Sequence, residues 1–174
     1  RPILVDADGR IIVSGIWEEY FNPFGKGLLT SNGVQTSATL TQAAATGTNE
    51  IVELVTVNTA MPGRVVELFC ALSGGFWAVG ATADLIYQWQ AKSIGRASWV
   101  NLHTAVTKTD INTTEVKETY SGRFASEANL NGIISEDISR TPLQFRLLIQ
   151  TNEASQGKAR TYNSSLIIIK YIPD

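Results

Sequence analysis

The chain carries one histidine, His103, and one cysteine, Cys70. A zinc hydrolase needs paired histidines, and a thiol nucleophile needs a base beside it, so neither chemistry has its parts. Cys70 lies on the apolar face of Val66, Leu68 and Leu72, which predicts a buried, inert thiol. His103 reads as a polar residue at a strand end and not as a catalytic base. The adjacent carboxylates Glu18/Glu19 and Glu136/Asp137 could serve glycoside hydrolysis only if the fold held two carboxylates about 5–9.5 Å apart across a cleft. Asp6 and Asp8 have the spacing that opens a calcium loop, but the later ligands are missing, and Asp8-Gly9 reads better as a hairpin turn. Gly25-Lys26-Gly27 lacks phosphate-loop spacing, and Ser73-Gly74-Gly75 lacks the nucleophile-elbow pattern. Asn112-Thr113-Thr114 and Asn163-Ser164-Ser165 match the glycosylation acceptor and read as chance matches. The expectation is a protein that is not an enzyme, with no catalytic residues, no metal site and no cofactor.

Composition points the same way. Charged residues make up 17% of the 174, below the roughly 25% of an average domain, and the net charge is −2. That leaves no basic footprint for nucleic acid. No apolar run approaches the 18 residues of a spanning helix, so no membrane insertion is expected. A chain of 18.9 kDa can bury about 70% of its extended surface, enough for a core without disulfide staples. Asp6 and Asp8 interrupt Ile3-Leu4-Val5 too early for a signal peptide.

The elements that would position these residues are strands. Ile3 to Val13 predicts a short hairpin. Ser14 to Gly33 breaks the pattern: Trp17, Tyr20, Phe21 and Phe24 sit among Asn22-Pro23, Gly25, Gly27 and Asn32-Gly33, so an irregular aromatic arm is expected. Ser37 to Thr41 fits an edge strand. Ile51 to Val57 and Val65 to Leu72 are β-rich runs joined through Pro62-Gly63, with Ser73-Gly74-Gly75 expected to close the second. Leu85, Tyr87, Trp89 and Ala91 alternate with Ile86, Gln88, Gln90 and Lys92. Thr114 to Ala125 alternates again, with Gly122 as a bulge or close approach. Leu143, Phe145, Leu147 and Ile149 alternate with Gln144, Arg146, Leu148 and Gln150, and Ala159 to Tyr171 is long enough for a full sheet crossing. Seven or more such segments with regular turn signals predict an all-β sandwich or barrel. Residues 1–35 would form the hairpin and aromatic arm, and residues 36–174 the sandwich domain.

Two stretches carry a family likeness. Pro2 to Gly15, PILVDADGRIIVSG, resembles hairpin segments of tailed-bacteriophage virion proteins. Lys158 to Tyr171, KARTYNSSLIIIKY, resembles the last strand of jelly rolls of the tumour-necrosis-factor and C1q type, and Glu50–Leu72 and Ile86–Leu102 are similar to its opening strands and central hairpin. The resemblance implies that the sandwich of residues 36–174 is a jelly roll, and that it forms a homotrimer with the final and central strands near the threefold axis, serving as a capsid decoration, fibre or attachment component on a virion. Other virion proteins and a host-surface glycan or receptor are the partners it implies, and the particle surface is the location.

The final strand adds a physical argument. In Leu166-Ile167-Ile168-Ile169 successive side chains alternate faces, so both faces need apolar cover. One face packs into the core. The other, assigned to Ile167, Ile169 and Tyr171, is expected against neighbouring subunits, with Tyr87 and Trp89 of the central strand beside it. A monomer with a deep two-sheet core is the competing arrangement. In a second class of function, a carbohydrate-binding module, exposed aromatics and amides would hold sugar: Trp77, Trp17 and Tyr20 are the candidate glycan contacts, with Trp99, Gln88 and Gln90 of the right types. Trp77 is the strongest of these, because Gly74-Gly75-Phe76-Trp77 is expected in a connection.

Overall fold

A computed structural model describes residues 4–5, 11–12, 15–25, 41–42, 49–80, 82–125, 132–151 and 157–174. Its strands in chain order are β1 (Leu4–Val5), β2 (Ile11–Ile12), β3 (Trp17–Phe21), β4 (Thr41–Gln42), β5 (Glu50–Val57), β6 (Gly63–Ala78) and β7 (Ala83–Ser93). They continue with β8 (Val100–Asn101), β9 (Val106–Ile111), β10 (Val116–Ala125), β11 (Gly132–Ile133), β12 (Leu143–Thr151), β13 (Gly157–Thr161) and β14 (Leu166–Pro173). The described residues hold no α-helix, and one 3-10 turn spans Glu136–Ile138. The protein is an all-β sandwich.

The larger sheet is built around β6. Along one side β6 pairs with the whole of β10, and along the other it pairs first with β14 and then with β13. The strands β3 and β4 extend that side by pairing with β14 and β13, and β11 adds to β10. The smaller sheet runs β5-β12-β7, with β8 and β9 pairing successive halves of β7. The strands β1 and β2 form the expected N-terminal hairpin, whose turn residues lie outside the described set, as do Ser37 to Leu40.

Period-2 alternation turns one face of each sheet inward. Leu68, Cys70, Leu72 and Phe76 of β6 meet Leu85, Tyr87 and Trp89 of β7 and Phe145, Leu147 and Ile149 of β12 in one core. Each fully buried large apolar side chain contributes roughly 1.5–3 kcal/mol by transfer from water. Burial drives the Cys70 thiol far above its ordinary range, so it stays protonated and inert.

Two local expectations change, and a third resolves between its alternatives. Trp17–Phe21 is not an irregular arm but a strand paired to β14, with Trp17 opposite Tyr171 and Phe21 opposite Ile167. Phe24 follows it into the core, edge-on to Trp89 at 5.1 Å. Ser73-Gly74-Gly75 does not end a strand, because β6 runs straight through it. The glycines there make room. A Cβ at Gly75 would collide with the Glu115 carboxylate and the Tyr162 hydroxyl. Gly122 is a close approach without a bulge, pairing in register with Cys70. A Cβ there would strike the Tyr120 ring, whose hydroxyl donates to the Leu102 carbonyl at 2.6 Å.

Candidate functional site

The final strand settles which of its faces is inside. Ile167, Ile169 and Tyr171 are fully buried within the single chain, while Leu166 and Ile168 lie half-buried on the opposite face. Trp89 and Tyr87 are buried too, Trp89 against Phe24 and Tyr87 stacked on Phe76 at 4.3 Å. None of these five side chains has surface to offer a neighbouring subunit. Assigning them to an intersubunit face is therefore corrected: β14 of the larger sheet and β7 of the smaller turn these side chains toward each other into one core of the same subunit.

The outer face of the larger sheet is what remains available. Tyr20, Ile168, Phe69 and Arg123 form one cross-strand row through β3, β14, β6 and β10. Beside it Lys170 bridges Glu18 and Glu67 at 3.3 Å to each, and Arg123 reaches Glu67 at 2.7 Å. The bond from Arg123 holds the Glu67 carboxyl below its ordinary range, against the opposing pull of burial. At the far end of the sheet Arg160 grips Glu115 with two N–H groups, and the Tyr162 hydroxyl donates to the same carboxylate. Burial there would raise the Glu115 pKa, but the bonds from Arg160 and Tyr162 outweigh it and the net direction is down.

The glycan candidates divide on this face. Tyr20 is 63% exposed and donates its hydroxyl to Glu18. Trp17 points inward against Tyr171, with ring centroids 6.3 Å apart, and so is no platform. Trp77 is in the body of β6 and not in a connection; it is half-buried, with the Arg160 guanidinium 5.3 Å from its ring centre.

The outer face of the smaller sheet has a different chemistry. Cross-strand register sets Gln90 beside both Arg146 and Asn101, and Lys92 beside Gln144. Arg146 Nε donates to Gln90 Oε1 at 2.8 Å, and Gln90 Nε2 donates to Asn101 Oδ1 at 2.6 Å. The Arg146 guanidinium lies 4.0 Å from the Trp99 ring centre and Lys92 Nζ lies 5.0 Å from it. Sequence reading picked out Trp99, Gln88 and Gln90 by type but missed Arg146, Lys92 and Asn101. The outward alternation of Gln144 and Arg146 was a usable signal, but only the pairing of β12 with β7 brings them to Trp99.

Between β7 and β8 of the smaller sheet and β10 and β11 of the larger, an open groove of ≈ 540 Å³ is lined by Gln88, His103, Phe124 and Ile133, among others. The Trp89 amide donates to His103 Nε2 at 3.0 Å, which makes Nε2 the acceptor and places the proton on Nδ1, 2.6 Å from the Thr104 carbonyl. Burial pushes the His103 pKa down, so the ring is a neutral structural bridge. Among the described residues no group of three His, Cys, Asp or Glu could hold a metal ion.

No protein-family model matches the chain. No curated protein matches it either. Among solved structures it is similar to a chain of the T13 infectious bursal disease virus particle, with a TM-score of 0.52 and 10% identity over 99% of this chain and 36% of that one. Chains of the Gt strain of that virus (TM-score 0.49, 8% identity, 91% of this chain and 32% of that one) and of its VP2 subviral particle (0.46, 10%, 98% and 37%) also match. This chain therefore spans well under half the length of the structures it matches. At such identity the first of these likenesses establishes a shared β-sandwich fold.

Proposed function

We propose that the chain is a non-enzymatic virion structural protein, a capsid decoration or fibre/attachment component that works as a homotrimer on the particle surface. The observation that carries this reading is the outer face of the larger sheet. A two-sheet core is complete within one chain, yet Tyr20, Ile168, Leu166 and Phe69 still lie together on the outside. Burying such a patch between copies is the economical use of it. The fold shared with a virus-particle chain supports the reading, as does the resemblance of both termini to phage virion and trimeric jelly-roll segments. The trimer contact would run through the Leu166/Ile168 face of β14. Light scattering at micromolar concentration tests it: three times the chain mass is expected, and a monomer at all concentrations would overturn it.

A second reading, carbohydrate binding, draws on the smaller sheet, where Trp99, Gln90 and Asn101 meet on one outward face. A glycan array screened with the intact chain checks this, and an array without hits would count against it.

A further inference from the structure

The basic side chains of the sandwich are not treated alike. Arg96, Arg123, Arg140, Arg160, Lys108 and Lys170 each meet a carboxylate. Arg64, Lys92, Lys117, Arg146 and Lys158 have no such ion pair among the described residues, and of these Arg146 and Lys92 are both partly buried and stand together over one indole, that of Trp99. Among the described residues neither has an acidic partner, and besides the indole each touches only a neutral oxygen, that of Gln90 for Arg146 and the Arg96 carbonyl for Lys92. Leaving a partly desolvated guanidinium without a counter-ion is costly, and burial does pull the Arg146 pKa below its ordinary value.

The inventory of unused hydrogen-bonding groups is one-sided. Arg146 spends Nε on Gln90 and keeps both terminal amino groups, while Lys92 spends one N–H on the Arg96 carbonyl at 3.2 Å. Asn101 has its oxygen engaged by Gln90 and its amino group free, and Gln144 beside Lys92 has no protein partner among the described residues. What remains is chiefly donors and two positive charges, held in place by the indole and by the Gln90 bridge. That is the complement of an oxyanion. Side-chain amides next to it suit the hydroxyls that surround such a group on a sugar.

We propose that this cluster, Arg146 and Lys92 over Trp99 with Asn101 and Gln144 alongside, binds the carboxylate or sulfate group of an acidic saccharide. The proposal rests on the attachment reading above and names the ligand class for it. The fixed geometry of the guanidinium means little ordering is needed on binding.

The test titrates the intact protein separately with 3′-sialyllactose, a heparin-derived hexasaccharide, neutral lactose and sodium sulfate at constant ionic strength. Binding is followed by calorimetry and by the Trp99 indole N–H resonance. One or both acidic saccharides should bind and shift that resonance, lactose should not bind, and Arg146→Gln and Lys92→Gln should each weaken binding at least tenfold. Melting temperature checks folding, and Lys92→Gln keeps the test valid should Arg146→Gln fail to fold. Absence of binding by both acidic saccharides overturns the proposal, as does binding that both variants leave unchanged. Sulfate binding as tightly as the saccharides would reduce the site to one for free anions and also overturns it. If no saccharide binds and Arg146→Gln instead dissociates the assembly in light scattering, the cations pair with a neighbouring copy and the saccharide is excluded. Light scattering of the unaltered protein reports on the trimer separately, so the two readings can fail independently.

Discussion

The two outer faces of the sandwich come from the same alternation, yet they spend their charge differently. On the larger sheet, Lys170, Arg123 and Arg160 are each matched to carboxylates from a neighbouring strand. Those three charges are satisfied within the sheet, and beside them the face leaves an apolar row open: Tyr20, Ile168 and Phe69. On the smaller sheet, Arg146 and Lys92 are matched only to an indole and to amides. A closed ion-pair network stiffens a sheet and has little left for a ligand, whereas cations stacked on an aromatic keep their ion-pairing capacity. The first face is suited to association through apolar contact, and the second to an anion.

The largest effect should come from the strand that separates core from surface. Ile169→Ala removes a fully buried side chain of β14 and should cost about 2–5 kcal/mol, seen as a marked drop in denaturation midpoint. Ile168→Ala, on the half-buried outer face, should cost less in the isolated chain. Only this second change should alter how melting temperature depends on protein concentration, because it touches the proposed contact between copies. A larger loss for Ile168→Ala than for Ile169→Ala would mean the two faces are assigned the wrong way round.

Gly75→Ala probes the paired-charge face directly. The new methyl would collide with Glu115 and Tyr162, so a loss of about 1–3 kcal/mol is expected by chemical denaturation. Combining it with Glu115→Ala should give less than the sum of the two single losses, since both act on one cluster. Strict additivity would show that Gly75 serves something other than the seat of that carboxylate.

Acid should separate the faces as well. Glu67 and Glu115 have folded-state pKa values below their ordinary 4.5, so their contribution is present above that value and lost as pH falls through the lower folded values. His103, also depressed, adds a loss that begins as pH drops below about 6.5, where the unfolded chain takes up the proton first. Stability measured from pH 7 to pH 3 should therefore fall in two stages. Glu115→Gln should flatten the lower stage, and a variant that leaves it unchanged would deny that cluster its role. The smallest effect is expected at Trp99→Ala, which removes the cation–π contacts of an accessible cluster. About 1 kcal/mol or less should be lost in thermal unfolding, and a much larger loss would make Trp99 a core residue.

Much of the architecture was legible before any coordinates. The strand runs of β5, β7, β10 and β12, and the N-terminal hairpin, lie where alternation and turn residues place them. The inert thiol of Cys70 followed from its apolar surroundings. Aromatic side chains among Asn, Pro and Gly hid β3, because a five-residue edge strand depends on its partner, β14, for its hydrogen bonds. Gly74-Gly75 imitated a turn because a glycine that breaks a strand and a glycine that clears space for a cross-strand carboxylate look the same in one dimension.

What the residue order determined by itself was partition: Leu166 and Ile168 on one face, Ile167, Ile169 and Tyr171 on the other, and Gln90 and Lys92 opposite Trp89. Alternation is a local property of an extended backbone, so it survives without knowledge of the fold. Which face turns inward is not local. It was decided when the two sheets packed together, burying Ile167, Ile169 and Tyr171 of one against the layer that holds Tyr87 and Trp89 in the other, and leaving Leu166 and Ile168 outside. The meeting of Arg146 with Trp99 was decided in the same way. The two are 47 positions apart in sequence, and only the antiparallel register of β12 on β7, with the chain beyond β7 folding back alongside, brings a guanidinium from one to the indole of the other. Long-range pairing is chosen by the sum of buried area and hydrogen bonds over the whole sheet, which no single segment encodes.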